Sequence, residues 1–322
     1  MKKKRHHYIP KSYLKFFCDN SGQVLVYRKD DPCKAISLSP DNVGFHKYYY
    51  SQPRPDGGKD HNALEDCFSQ IEDKWPGIVD QLHRRENVNN SLVDIFQFMA
   101  LQRARVPASR DAIEKIYAER VMVAARRLDK AGKLPPKPAG FENLLDHVEA
   151  SIDPHQSIHA MMPMIKGFGQ VFDRIGFCAL HNKTEVPFLT SDNPVIWFDP
   201  SVKDADLRPY VLRPDGPVLL LFPVSPSLII YGDSSRRDEF VSEGVGIADI
   251  SEINFVEIFN RQVCRFAYQA VFAQKAGQER LIQEHAELSP TIRFGRISAG
   301  EDESVIFEMV FGKRERKPKW VD

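Results

Sequence analysis

From about residue 61 onward, apolar positions recur at helical spacing. Leu64, Phe68, Ile71 and Trp75 fall three or four residues apart, and Asn62 followed by Glu65 has the spacing of a capping box with Asn in place of Ser or Thr. A helix is predicted to open there, with Pro76-Gly77 breaking or kinking it before helical character resumes to about Arg85. Ser91 with Asp94 opens a second, very apolar helix through Leu92, Ile95, Phe96, Phe98, Met99 and Leu101, which stops before Pro107. A third runs through Ile113, Ile116, Tyr117, Val121 and Val123 to Arg127. The proline-rich linker from Lys133 to Pro138 is the clearest break in the chain, and another helical stretch covers about 141–175.

Strand signals flank this helical block. Val24 to Tyr27 is a β-rich run bounded by Ser21-Gly22, and Phe45 to Tyr50 is a second. Further runs are Gly176 to Leu180, Val186 to Thr190, Val195 to Phe198, Val218 to Phe222 and Leu228 to Tyr231. A last helix covers about 251–273, before a short and mostly polar C-terminal segment. The order predicts an α+β fold, a helical bundle packed beside a mostly antiparallel sheet. Without internal repeats, the 322 residues read as a single domain over 1–322. Its mainly helical core covers about 61–175, and sheet-rich parts cover about 1–60 and 176–250.

Composition narrows the class. Hydrophobic residues make up 42% and charged ones 27%, as in globular proteins in water. Lys+Arg and Asp+Glu both number 44, so no basic excess exists to supply general affinity for nucleic acid, although a local patch is compatible with the balance. The 5 cysteines are widely spread, with no Cys-x-x-Cys pair, which favours free thiols in a reducing compartment. The basic N-terminus is not followed by an apolar stretch, and no run is long enough to span a bilayer, so the expected location is cytoplasmic, without a membrane partner.

The candidate chemistry starts at His6-His7-Tyr8-Ile9-Pro10. Paired imidazoles bind metal or move protons near neutral pH, and a divalent metal is the one cofactor they suggest. The downstream Asn and His of a His-Asn-His nuclease are not evident; the structural alternative is that His7 caps the helix at Lys11 or packs beneath Tyr8. On the acidic helix, Glu65 and Glu72 are seven residues apart and project within about 20° of one another, at the rim of the apolar face. They reach either an imidazole or an arginine, or are a capping residue and a surface ion pair.

On the next helix Arg103 falls within about 40° of Leu92, Phe96 and Met99, whereas Asp94 and Arg105 fall on the opposite side. A guanidinium on an apolar face needs an anionic partner or must snorkel to water. Ser191, Asp192 and Asn193, in Thr190-Ser191-Asp192-Asn193-Pro194, place a hydroxyl, a carboxylate and an amide between two strands, as a tight turn or as ligand-binding groups. His155 and His159 share a helix face but lack the glutamate of a zinc protease.

Taken in order, these segments resemble the bacterial family catalogued as domain of unknown function 4238. The matching stretches are His6 to Pro10 with Tyr13 to Phe17, Asn62 to Asp66 with Glu72 to Trp75, and Gln102 to Pro107. Thr190 to Val195, Phe222 to Pro226, and Asn260 with Ala267, Tyr268, Val271 and Phe272 complete them. The resemblance implies a single bacterial α+β domain with no agreed activity, and it makes Arg105 rather than Arg103 the patterned arginine. Lys11 departs from the Gln or Glu that often follows the proline in that family.

Two functional expectations follow. The first is a hydrolase, a nuclease or phosphodiesterase, acting on a phosphate-containing substrate or nucleic acid. His7 would be its acid or base, His6 a second proton or metal group, and Glu65 would orient an imidazole. Arg105 or Arg103 would hold phosphate, with Ser191, Asp192 and Asn193 closing the pocket and Glu72 and Asn260 in structural or site roles. The second is a non-catalytic binding or scaffold protein of a bacterial defence or toxin–antitoxin system, in which the same residues form a buried polar network.

Overall fold

The protein is described by a computed structural model over residues 4–299 and 302–315. The N-terminal part holds β1 (Arg5–His7), α1 (Lys11–Leu14), β2 (Val24–Arg28), β3 (Asp31–Leu38), β4 (Phe45–Lys47), β5 (Gln52–Pro53) and β6 (Lys59–Asp60). The helical block follows as α2 (Ala63–Glu72), α3 (Trp75–His83), α4 (Leu92–Arg105), α5 (Pro107–Lys130) and α6 (Met161–Phe172). Next come β7 (Gly176–Asn182), β8 (Thr190–Ser191), β9 (Ile196–Phe198), β10 (Leu219–Ser225), β11 (Leu228–Asp233), α7 (Arg237–Glu243) and β12 (Gly246–Ile250). The chain continues through α8 (Ile253–Phe266), β13 (Ala270–Ala273), α9 (Glu279–Glu284), β14 (Ser289–Ala299) and β15 (Asp302–Gly312). The expected mixed α+β class is what the chain adopts.

Its strands divide among several sheets. One is five-stranded, in the order β12-β7-β11-β10-β9, and all its neighbours are antiparallel except the β12–β7 pair. Another is four-stranded, β3-β2-β13-β8. The switch between them lies at Asp192-Asn193-Pro194, where the chain leaves β8 and enters β9.

Strand alternation gives the five-stranded sheet two different faces. Phe177, Ala179, Leu220, Phe222 and Ile230 face one core, with Trp75, Phe98 and Phe168 from the helical block. Ile196, Phe198, Leu221 and Ile229 face a second core, against Val256, Phe259 and Val263 of α8. The first core centres on Trp75 stacked on Phe98, with ring centroids 4.1 Å apart, and on Tyr13 stacked on Phe222 at 5.5 Å. Proline explains two of the helix starts: Pro76 and Pro107 both lie in first turns, where the missing amide hydrogen costs nothing.

Several expectations change in detail. Asn62 does not cap α2; the Asp60 carboxylate accepts the amides of Asn62 and Ala63 instead. The run from Phe45 stays extended only to Lys47, because Tyr48 turns the backbone with a φ of 56°. Of the stretch 141–175, only Met161–Phe172 is α-helical, preceded by short 3-10 turns; Asp153, followed by Pro154, caps the second of these. The last predicted helix ends at Phe266, since the amides of Tyr268 and Gln269 turn to the Asp192 carboxylate and the chain re-enters a sheet as β13. The polar C-terminal segment instead forms α9 and the β14–β15 hairpin. No helix among the described residues is long and apolar enough to cross a membrane.

Tyr13 joins α1 to both parts of the chain: its hydroxyl lies 2.6 Å from Thr190 Oγ1 and donates to the Pro223 carbonyl at 2.6 Å, wholly buried. Tyr13→Phe leaves the ring stack in place and orphans a carbonyl, so urea unfolding should show a loss of about 1–3 kcal/mol. An unchanged midpoint would mean that the hydroxyl contributes nothing.

Candidate functional site

The paired histidines sit on β1, where His6 lies opposite His46 and His7 opposite Phe45 of β4. Gly44 makes this register possible. Its carbonyl accepts the amides of Tyr8 and Ile9, its φ is +64°, and a Cβ there would fall 2.9 Å from Ile9 Cβ. His6 is fully buried; its Nδ1 accepts the Tyr50 amide at 2.8 Å and its ring stacks on Tyr50. An accepting Nδ1 puts the proton of the neutral ring on Nε2. His7 packs on Phe45, and burial, reinforced by Lys11, lowers its pKa to about 4. It is therefore neutral at pH 7.

The adjoining polar corner comes from α2 and α4. Arg105 is 1% exposed, with Nη1 on Glu72 at 2.5 Å and Nε on Gln102 Oε1 at 2.7 Å. Arg105, on the opposite side of α4 from Arg103, is buried as well, because the last turns of α4 are enclosed on all sides, from Phe98 to Arg105. Glu65 and Glu72 are half-buried, as the rim position implied, and both reach Tyr50 electrostatically, as does Arg105. His6, Tyr50, Arg105, Glu72 and Glu65 therefore share one corner. No group of three or more His, Cys, Asp or Glu side chains among the described residues is arranged to hold a metal ion.

The Ser191-Asp192-Asn193 turn is wholly buried. Asp192 accepts the amides of Tyr268 at 2.8 Å and Gln269 at 2.7 Å, and its own amide donates to Ala270. Burial nevertheless raises its carboxyl to about 6, against the pull of those amides. Ser191 Oγ accepts the Asn193 amide. Asn260 bridges α8 to the segment leading into β8: Oδ1 accepts the Leu189 amide, and Nδ2 donates to the Pro187 carbonyl and Gln278. Asp192 and Asn260 are thus brackets between segments about 75 residues apart in sequence.

Asn193 leads to a different site. Its Nδ2 donates to the Phe266 carbonyl at 2.8 Å and to the Tyr210 hydroxyl at 2.5 Å. Tyr210 has a φ of 64°, a strained conformation for a bulky side chain, and lays its ring on the Arg103 guanidinium, 3.7 Å from Cζ to the centroid. Trp197 contributes a second ring at 5.3 Å. Arg103 Nη1 donates to Ser109, whose hydroxyl returns a bond to the Arg103 carbonyl. Nε is buried without a partner, Nη2 makes no hydrogen bond, and no carboxylate among the described residues pairs with Arg103.

Burial pulls this guanidinium below its ordinary pKa, with Tyr210 opposing, yet an arginine remains charged. Arg103 and Trp197 line a cavity of 200 Å³ with Phe168, where Ala100, Ala104 and Gly167 on the facing helices α4 and α6 leave the space. The structure therefore brings Arg103 and Asn193 together through Tyr210. It places His6, Glu65, Glu72 and Arg105 in another corner and commits Asp192 to backbone amides. Tyr210 was missed because its loop carries no apolar period.

The chain belongs to the family described as protein of unknown function (DUF4238), whose model matches residues 5–277. No curated protein and no solved structure matches it.

Buried Asp192 and half-buried His7 give opposite pH dependences. Asp192 has a raised folded pKa, so its penalty applies above pH 6 and is relieved as the pH falls toward 4. His7 has a lowered one, so its neutral form is stabilising above pH 6.5 and that stability is lost as the pH falls toward 4. Between pH 4 and 6, Asp192→Asn should make unfolding free energy rise more steeply with pH than in the parent, by at most about 1.4 kcal/mol per pH unit. His7→Gln should make it rise less steeply. Parallel curves for all three proteins in urea titrations would refute both assignments.

Proposed function

We propose that this protein binds a small ligand through an oxyanion, a phosphate-containing one, on Arg103. The observation that carries the reading is a guanidinium 8% exposed, without a carboxylate among the described residues, on the wall of a cavity. Its partner-free edge, Nε with Nη2, is the side that grips two oxygens of a phosphate or carboxylate. Tyr210 and Trp197 hold the plane, Asn193 holds Tyr210, and Ser109 fixes the far nitrogen.

A buried charge without a counter-ion costs stability, and strain at Tyr210 adds to it. Such costs persist where function requires the group. Proton transfer by His6 or His7 has less support, because His6 Nδ1 is taken by the Tyr50 amide and Asp192 by two amides. Binding is therefore the function assigned, and hydrolysis is no part of it.

Calorimetric titration with phenyl phosphate, benzoate and benzyl alcohol tests the reading. Phenyl phosphate should bind, benzoate more weakly, and the neutral alcohol not measurably. Arg103→Met should weaken phenyl phosphate at least about tenfold while leaving the unfolding midpoint equal to or above that of the parent, since it removes an unpaired buried charge. An unstable Arg103→Met variant, or anion binding that survives the substitution, would make Arg103 a structural residue.

A further inference from the structure

The opposite face of the five-stranded sheet carries a larger space. Strand alternation sends Trp197 toward Arg103 and its neighbour Phe198 the other way, into a cavity of 620 Å³ between the sheet and α8. That size is typical of sites for small organic ligands. The walls are mostly apolar, from Phe198, Leu219 and Tyr231 on the strands to Phe255 and Phe259 on α8. Phe255 is 49% exposed, as are Ile253 and Ile258 in part, whereas Val256, Phe259 and Val263 of the same helix are buried.

Most polar groups of the wall are already satisfied. Asp204 pairs with Arg265 at 3.0 Å, Asp249 with Arg85 and Lys183, and the Tyr231 hydroxyl donates to Asp233. Gln262 differs. It is 4% exposed, and its Nε2 donates to Asp204 Oδ1 at 3.3 Å. A carboxylate only accepts, which fixes the amide's orientation and leaves Oε1 as the end with no donor among the described residues. A buried carbonyl oxygen without a donor is costly, and it lies in a wall otherwise built for apolar contact.

We propose that this cavity is a binding site, distinct from the Arg103 site, for a neutral apolar molecule bearing one hydroxyl donor, which the Gln262 Oε1 accepts. An anionic carboxylate head group carries no donor for that oxygen, so it is not held there.

Isothermal titration with three naphthalenes reads this out: 2-naphthol carries the donor, 2-methoxynaphthalene lacks it, and 2-naphthoate is an anion. On the parent protein 2-naphthol should bind about tenfold more tightly than 2-methoxynaphthalene; 2-naphthoate is compared in the Arg103→Met protein, where the anion site is removed, and should be weakest there. Gln262→Met, of similar length and volume, should bring 2-naphthol and 2-methoxynaphthalene within twofold of each other without weakening the latter. Arg103→Met should leave 2-naphthol and 2-methoxynaphthalene unchanged, which separates this site from the anion site. Equal binding of 2-naphthol and 2-methoxynaphthalene by the parent, no binding of 2-naphthol, or a preference that survives Gln262→Met would each overturn the proposal, and none requires a variant of altered fold to interpret.

Discussion

The carboxylate of Asp192, accepting the amides of Tyr268 and Gln269, is the contact on which the rest depends. It terminates α8, turns the chain into β13, and fixes β8 beside it through the Val271–Ser191 pairing. Because Asp192 is held, Asn193 is held one residue later, with its amide on the Phe266 carbonyl at the end of the same helix. Tyr210 then has a fixed hydrogen-bond partner and can keep a left-handed backbone, and its ring sets the plane of the Arg103 guanidinium. A backbone bracket thereby becomes the support of a side chain on another helix. The cost is a carboxylate whose desolvation outweighs two good amide donors, the reverse of the usual outcome for a hydrogen-bonded aspartate.

Local chemistry made much of this readable. The helical periods of α2 and α4, a helix end before Pro107, and the rim positions of Glu65 and Glu72 all follow from spacing, and the structure keeps them; the break expected at Pro76 falls just before it, where α3 starts at Trp75. Arg103 was readable too, because angle alone put it on an apolar face. What spacing does not encode is a partner distant in sequence. The amides that donate to the Asp192 carboxylate lie 76 and 77 residues away, and the backbone partners of Asn260 lie 71 and 73 away. Tyr210 sits in a loop whose conformation is imposed by contacts, since a tyrosine has no intrinsic preference for positive φ. The β14–β15 hairpin read as polar because Arg293 and Glu308 stand opposite one another and pair at 3.4 Å; their charges dilute the apolar alternation of Ile292, Phe294, Phe307 and Met309.

Two arginines on α4 show how burial distinguishes structure from site. Residues two apart on a helix point about 200° away from each other, and here both directions lead into protein. Arg105 meets Glu72 and Gln102, so its charge is compensated within the fold. Arg103 meets aromatic faces and one hydroxyl. Cation–π contact contributes about 0.5–2 kcal/mol, whereas the effective penalty for burying an ion runs to several kcal/mol. Of these two arginines, the deficit falls on Arg103. That enclosed but unneutralised charge is what the proposed anion would balance. The cavity beside it is the side from which the proposed ligand would reach it.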